Sequence, residues 1–317
     1  MEEYRRELEV HCYRMLGSLH EAEDLVQETY LKAWRARDGF DHRSSMRTWL
    51  YRIATNACLD ALKARPRRAL PVDLAPGEAE HWLEPIPDSV LDAADPAAAL
   101  VAKEGVELAF LAALQHLPPR PRAVLILRDV LDWSAAETAT LLDMSVPAVN
   151  SALQRAKARM PAESRPATAA EHEVARRYAD AFQRADIPAM VSLLAEDARA
   201  SMPPWRIWYQ GKNAIEQSLR EGRPGLGELR VRCTGANRQP AVVAHVRPPG
   251  AAQWQPFAVS VLHVAAGRIT DMIAFHDPAV VALFDRSESG RPDGGGASTP
   301  ADRQGGTGVA ERRNGHG

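Results

Sequence analysis

The sequence predicts a multidomain chain: two all-α helical domains, the second built on a helix-turn-helix, followed by an α+β domain. Three observations carry this. Apolar residues recur at helical spacing, without proline, to about Lys63; a pair of short capped helices occupies 131–160; and beyond Met160 helices give way to alternating, β-branched stretches.

At 317 residues the chain has room for two or three domains. Its 45% hydrophobic and 25% charged content is ordinary for globular protein. A formal net charge of -2 gives no global attraction to nucleic acid, so any DNA binding must be local. Cys12, Cys58 and Cys233 form no C-x-x-C pair and have no histidine at zinc-ligand spacing, so reduced thiols are expected, with no metal and no cofactor. The opening "MEEYRRELEV" lacks a signal-peptide core and no long apolar run follows, so the expected location is cytoplasmic, without membrane contact.

The first helical domain is expected over 1–66. In "EAEDLVQETYLKAWRA" an inward stripe of Ala22, Leu25, Val26, Thr29 and Ala33 leaves Asp24, Gln27, Glu28, Leu31 and Lys32 outside. A merely solvated face would read the same way. In "RTWLYRIATNACLDALKAR" the core positions are Leu50, Ile53, Ala54, Ala57 and Ala61. Around them stand Arg43, Arg47, Arg52, Lys63, Arg65, Arg67 and Arg68, opposed locally by only Asp41 and Asp60. Cations interleaved with Trp49 and Tyr51 suit a surface that holds separated nucleic-acid strands, although a tryptophan at helical spacing is equally a core residue.

Residues 67–103 read as an acidic, Pro- and Ala-rich linker, within which "HWLEPIPD" offers Trp82 and Leu83 as an interdomain anchor. The second helical domain is expected over 104–162. Ser134 and Glu137 have the form of a capping box, and Ser145 caps a second helix with Pro147 in its first turn. Val149, Leu153, Ala156 and Met160 face inward there, leaving Asn150, Ser151, Gln154, Arg155, Lys157 and Arg159 on a polar face suited to a DNA major groove.

In this order, "AEDLVQETYLKAW", "MRTWLYRIATNACLD" and "LPPRPRAVLILRDVLDWSAAETATLLDMSVPAVN" resemble the extracytoplasmic-function sigma factors of the sigma-70 family. The resemblance implies RNA polymerase core and promoter DNA as partners. Asp24, Gln27, Glu28 and Leu31 would contact polymerase. The loop 40–46, beginning at Phe40, and Asn56 would capture a flipped base of the -10 element, with Arg43, Arg47, Trp49 and Arg52 alongside. Asn150, Ser151, Gln154 and Arg155 would face the -35 groove. Two departures stand out: Asn150 and Ala152 replace the usual cations, and Asp143 replaces a turn glycine.

Residues 168–285 begin with two helices and continue as a meander. "ADIPAMVSLLAEDARASMPP" and "GRITDMIAFHDP" resemble the SnoaL-like branch of the nuclear-transport-factor-like cone fold, which a subgroup of these sigma factors carries behind the -35 domain. The expected role is regulation in cis through the anchor at Trp82 and Leu83, with a small-molecule ligand of the cone pocket as a further partner. A competing reading makes the cone an enzyme, with Asp197, His245, His263, Asp271 and His276 as candidate proton-transfer groups. Regulation without catalysis is the favoured expectation. Residues 286–317 hold few apolar side chains and are expected to be a disordered tail, with "DGGG" a candidate docking motif.

Overall fold

Ser18 starts one of the two long helices of the first domain, its hydroxyl accepting from the Glu21 N–H, while Gly17, left-handed at φ 78°, closes the helix before it. The computed structural model describes residues 2–40, 44–63, 82–92, 106–160, 165–205 and 207–289. Helices α1 (Arg5–Leu16), α2 (Leu19–Ala36) and α3 (Met46–Lys63) form the first unit. Here α3 departs from expectation. It buries Trp49, Leu50, Tyr51, Ala54, Thr55, Ala57 and Cys58, more than one helical stripe, because α1 and α2 pack on one side of it and helices of the second unit on the other.

The second unit runs through α4 (Leu108–Gln115), α5 (Pro119–Leu125), a π turn (Ile126–Val130), α6 (Ala135–Leu142) and α7 (Val146–Lys157). Ser134 and Glu137 make the expected capping box. Asp143 ends α6 in the left-handed region at φ 53°, and Ser145 accepts from the Ala148 N–H to open α7. The two units touch directly. The Tyr51 and Trp133 rings lie 5.4 Å apart, and the buried Arg122 guanidinium of α5 donates to the α1 carbonyl of Met15 at 2.5 Å and to Gln115 Oε1 at 2.7 Å.

Between the units, the described part of the linker is 82–92. Leu83, Ile86 and Leu91 are buried there, and Glu84 N–H donates to Gly17 O at 2.9 Å.

The third unit comprises α8 (Ala169–Gln183), α9 (Ile187–Ser192), β1 (Leu194–Ser201), β2 (Trp208–Gln210), α10 (Lys212–Gly222), β3 (Glu228–Ala236), β4 (Gln239–Arg247), β5 (Gln255–Ala265), β6 (Arg268–Phe275) and α11 (Pro278–Ser289). The strands form one sheet in the order β2-β1-β6-β5-β4-β3, antiparallel except for the β1–β6 pair. Because side chains alternate across a sheet, its two faces do different work. Val242, Leu262 and Met272 pack with Val174 and Tyr178 of α8, while Val243, Val259, Val261, Ile273 and Phe275 join α11 and a core continuous with Leu83, Ile86 and both helical units.

Leu83 is the apolar pin of this shared core. Leu83→Ala should lower the unfolding free energy by about 2–5 kcal/mol, the usual result of truncating a fully buried leucine. A urea titration followed by circular dichroism checks this, and a loss well below about 1 kcal/mol would show that the site collapses without it.

Candidate nucleic-acid interface and its interdomain lock

On α2 the inward residues Ala22, Val26, Thr29 and Ala33 are buried and Leu25 is half-buried, so the helix period turns Asp24, Gln27, Glu28 and Leu31 outward together. All four are exposed. Leu31 is 57% and the neighbouring Trp34 59% exposed, an apolar pair within a polar face, with Glu28 tied to Lys32 at 2.7 Å and the Arg37 guanidinium over the Trp34 ring. Trp34 was not singled out in the sequence, although its i, i+3 spacing from Leu31 is the signal that finds it.

On α3 only part of the expected basic and aromatic surface is open. Arg52 and Asn56, one turn apart, are exposed, with half-buried Thr48 in line before them. Trp49 is 7% exposed and packs on half-buried Phe40 at 4.8 Å, and Tyr51 is fully buried between His11 and Trp133. Neither presents a free ring face for a base in this arrangement. Arg47 is likewise engaged: its Nε donates to Glu7 Oε2 at 2.8 Å, a carboxylate brought from α1. The count of opposing carboxylates made along the sequence missed Glu7 because it lies forty residues away. Arg43, with its neighbours at 41 and 42, falls outside the described residues.

On α7 Asn150, Ser151, Gln154 and Arg155 share an exposed face, while Val149, Ala152 and Ala156 are buried. Lys157 is exposed but ion-paired to Asp129, and Arg159 lies just beyond the helix end.

The lock is the tip of the β3–β4 hairpin. Asn237 and Arg238 both take positive φ, 53° and 60°, as a two-residue turn between right-twisted strands requires. That turn carries the Asn237 amide out of the sheet and into the join between units, where the residue is 0% exposed. Its Nδ2 donates to Tyr13 Oη of α1 at 2.8 Å and to Val106 O, at the head of the second unit, at 2.5 Å. Its Oδ1 accepts from Ile86 N–H of the linker at 2.9 Å, and its own N–H donates to Ile86 O at 3.0 Å. Tyr13 passes its hydroxyl hydrogen to Glu84 O at 2.7 Å. Two donors and one acceptor thus meet two acceptors and one donor, leaving the buried amide satisfied.

Beside it Asp88 Oδ1 accepts from Arg238 N–H at 2.8 Å, and Arg238 pairs with Asp92 at 2.6 Å. Gly235 leaves room for Asp88: a Cβ there would stand 2.2 Å from its Oδ2. Burial pushes the Asp88 carboxyl up to about 6, opposed by the hydrogen bond and charge of Arg238 and reinforced by Asp92 and Glu107. Of the anchor residues expected from sequence, Leu83 is fully buried and Trp82 half-buried, but the polar grip is centred on Glu84 to Asp88. Asn237 was missed, because "GANRQP" reads only as a hairpin turn.

The candidate proton-transfer groups of the third unit are dispersed. Asp197 is exposed, Asp271 is paired with Arg199 at 2.7 Å and His245 with Asp285 at 3.0 Å, and His263 stands opposite Asp271 in the β5–β6 register. Only His276 lines the domain's cavity of about 480 Å³. Among the described residues no three His, Cys, Asp or Glu side chains gather as a metal site, and no helix is long and apolar enough to cross a membrane.

Comparison with known proteins assigns a class to this order of a three-helix unit, a helix-turn-helix unit with an open polar face and an α+β unit. Family models match in the same order: Sigma-70 region 2 over residues 1–68, Sigma-70 region 4 over 107–160 and the SnoaL-like domain over 175–272. The chain is 44% identical over 309 residues to the ECF RNA polymerase sigma factor SigG of Mycobacterium tuberculosis, covering 91% of this chain and 83% of that one. It is 34% identical over 147 residues to SigW of Bacillus subtilis, covering 46% of this chain and 76% of the other. The crystal structure of M. tuberculosis extracytoplasmic function sigma factor SigJ shares the fold, with a TM-score of 0.64 at 22% identity, covering 89% of this chain and 97% of that chain. The chain belongs to the extracytoplasmic-function sigma factors of RNA polymerase, with a fused C-terminal SnoaL-like domain, and its function is promoter-directed transcription initiation.

The raised Asp88 carboxyl gives the lock a pH dependence of defined sign. Its value of about 6 in the packed arrangement exceeds the ordinary 3.8 it regains in solvent, so the interdomain packing is favoured by protonation and loses up to about 3 kcal/mol as pH rises from 4 through 6. The urea midpoint for release of the C-terminal domain should therefore fall between pH 4 and pH 7. Asp88→Asn keeps an oxygen for the Arg238 N–H and should flatten that response.

Proposed function

We propose that the structure is the closed, resting form of the sigma factor, and that the C-terminal domain inhibits in cis by holding its two DNA-binding units together. The observation that carries this reading is the insertion of Asn237 among Tyr13, Ile86 and Val106, one side chain bonded to both helical units and the linker. The functional units are taken as 1–66, 104–162 and 168–285, joined by 67–103; α11 carries the last unit on to Ser289, and the rest of the expected tail, with its DGGG motif, lies outside the described residues.

Distance gives the sign. Elements named -10 and -35 lie about 25 base pairs apart, roughly 85 Å of duplex at ~3.4 Å per pair. Two helical units of about 55–65 residues, each with a radius of gyration near 10 Å, span roughly 50 Å when packed against each other. Tyr51 against Trp133 and Arg122 on Met15 hold them in that packed state. Reading both elements at once requires the pair to part. Separation also frees the Tyr51 side of α3.

On this reading Asp24, Gln27, Glu28 and Leu31 dock on polymerase. Arg52 and Asn56 meet the opened -10 strand, with Phe40, Arg43, Arg47 and Trp49 alongside them. Asn150, Ser151, Gln154 and Arg155 read the -35 groove, with Lys157 and Arg159 on phosphates. The C-terminal domain regulates and catalyses nothing; the scatter of Asp197, His245, His263 and Asp271 away from the cavity supports this.

Asn237→Gly tests the lock, because glycine keeps the positive φ of the turn and deletes only the amide. Three lost hydrogen bonds are worth about 2–4 kcal/mol, enough to shift a closed-to-open ratio by well over tenfold. Run-off transcription at limiting core polymerase should rise at least severalfold. Transcription equal to or below that of the parent would sink the closed-state reading.

Asn56→Ala addresses the DNA face. It should reduce permanganate reactivity of -10 thymines while leaving closed-complex formation intact, since base capture must offset an unstacking cost of a few kcal/mol. Unchanged reactivity would remove Asn56 from the -10 surface.

A further inference from the structure

The cavity of the C-terminal domain has no part in the lock itself. At about 480 Å³ it is the size of a small-molecule site. Its wall is chiefly apolar, formed by Phe182, Met190, Ile215, Leu226, Ala258 and Met272.

The few polar groups in that wall are specific. The His276 ring is stacked under Trp205 at 4.5 Å and met edge-on by Phe257 at 4.8 Å. Its Nδ1 lies 3.1 Å from Phe257 O, and a carbonyl can only accept, so Nδ1 carries the hydrogen and Nε2 is the acceptor. Burial lowers the imidazole to about 4, which keeps it neutral at physiological pH. Nε2 is buried and without a partner among the described residues. Ser201, 3% exposed and in the same wall, has a hydroxyl in the same condition. Arg223 gives Nη1 to Gly227 O at 2.8 Å, while its buried Nε–H has no described partner. Buried polar groups left unpaired forfeit the hydrogen bonds they would make to water. An occupant that pairs them restores such bonds. Glu221 and Arg223, of opposite charge, both line the cavity, so its wall carries no net charge.

We propose that this cavity binds a neutral, largely apolar small molecule bearing a hydroxyl or N–H group for His276 Nε2 and an oxygen acceptor for Arg223. The proposal extends to transmission, a part that rests on the closed-state reading above. Ala258 and Ser260 line the cavity, while Val259 and Val261 on the same strand face the core shared with Leu83 and Ile86. Met272 and Ala274 alternate in the same way with Ile273 and Phe275. A two-strand layer one residue thick thus separates the occupant from the interdomain core, so occupancy shifts the closed-to-open ratio.

The test uses the full chain and two probes of one skeleton, 2-naphthol and 2-methoxynaphthalene, the second lacking the donor. Calorimetric titration should show saturable binding, with 2-naphthol roughly tenfold tighter, about the worth of one hydrogen bond. His276→Phe should abolish that preference. In the parent protein labelled with ¹⁵N-histidine, the His276 Nε2 resonance should move with 2-naphthol and not with the ether, which reads the contact without any substitution. No binding, equal affinities or an unmoved Nε2 resonance would each overturn the site. Transmission is read from the distance between fluorophores on α2 and α7, which should change on saturation with 2-naphthol. Binding with an unchanged distance overturns the transmission while supporting the site. The transcription response of Asn237→Gly, measured without probe, judges the closed-state reading separately.

Discussion

A single side-chain amide, placed by a tight turn, organises the contacts among three units of the chain. The β3–β4 connection has only two residues, both at positive φ, and asparagine is among the few side-chain-bearing residues that accept this conformation readily. The geometry that satisfies the hairpin also sends a group with two donors and one acceptor beyond the sheet. Tyr13, Ile86 and Val106 supply its counterparts. An aspartate could not donate to Tyr13 and Val106, and a glycine would keep the turn but hold nothing.

Around that point the energetics are those of a shared core. Among the described residues the outer face of the sheet is covered by α11 and by a linker turn at Asp88–Leu91, and it buries Val243, Val259 and Val261 in a core that also includes the linker and the sigma units. Glu84 and Asp88 attach the linker on either side, one to Gly17 and Tyr13, the other to the hairpin. The linker is thus an inserted element between domains, and its Pro85 and Pro87 restrict the backbone where it crosses.

The sequence was most informative where one element's own periodicity or capping decides the outcome. The exposed set on α2, the open polar face of α7, the Ser134 capping box and the left-handed Asp143 all follow from residues within a few positions of one another. The family and the order of its domains were legible for the same reason. Failures arose where a second partner comes from far along the chain. Trp49 and Tyr51 looked like an aromatic surface because the α5–α6 region that covers Tyr51 begins about seventy residues later. Arg47 looked unopposed because Glu7 lies on another helix. Asn237 carries no local mark beyond that of a turn residue; its meaning appears only when Tyr13, 224 positions away, is brought beside it.

The open face of α2 has a kinetic implication. The packed arrangement conceals the Tyr51 side of α3 yet displays Leu31 and Trp34, so encounter with a protein partner through α2 does not require the units to part. On the proposed reading the two events are ordered: capture by polymerase comes first, and the template is read afterwards. A population that is almost entirely shut can then be recruited at an undiminished association rate. Its shut state acts as a delay between recruitment and initiation, and does not lower the number of molecules recruited.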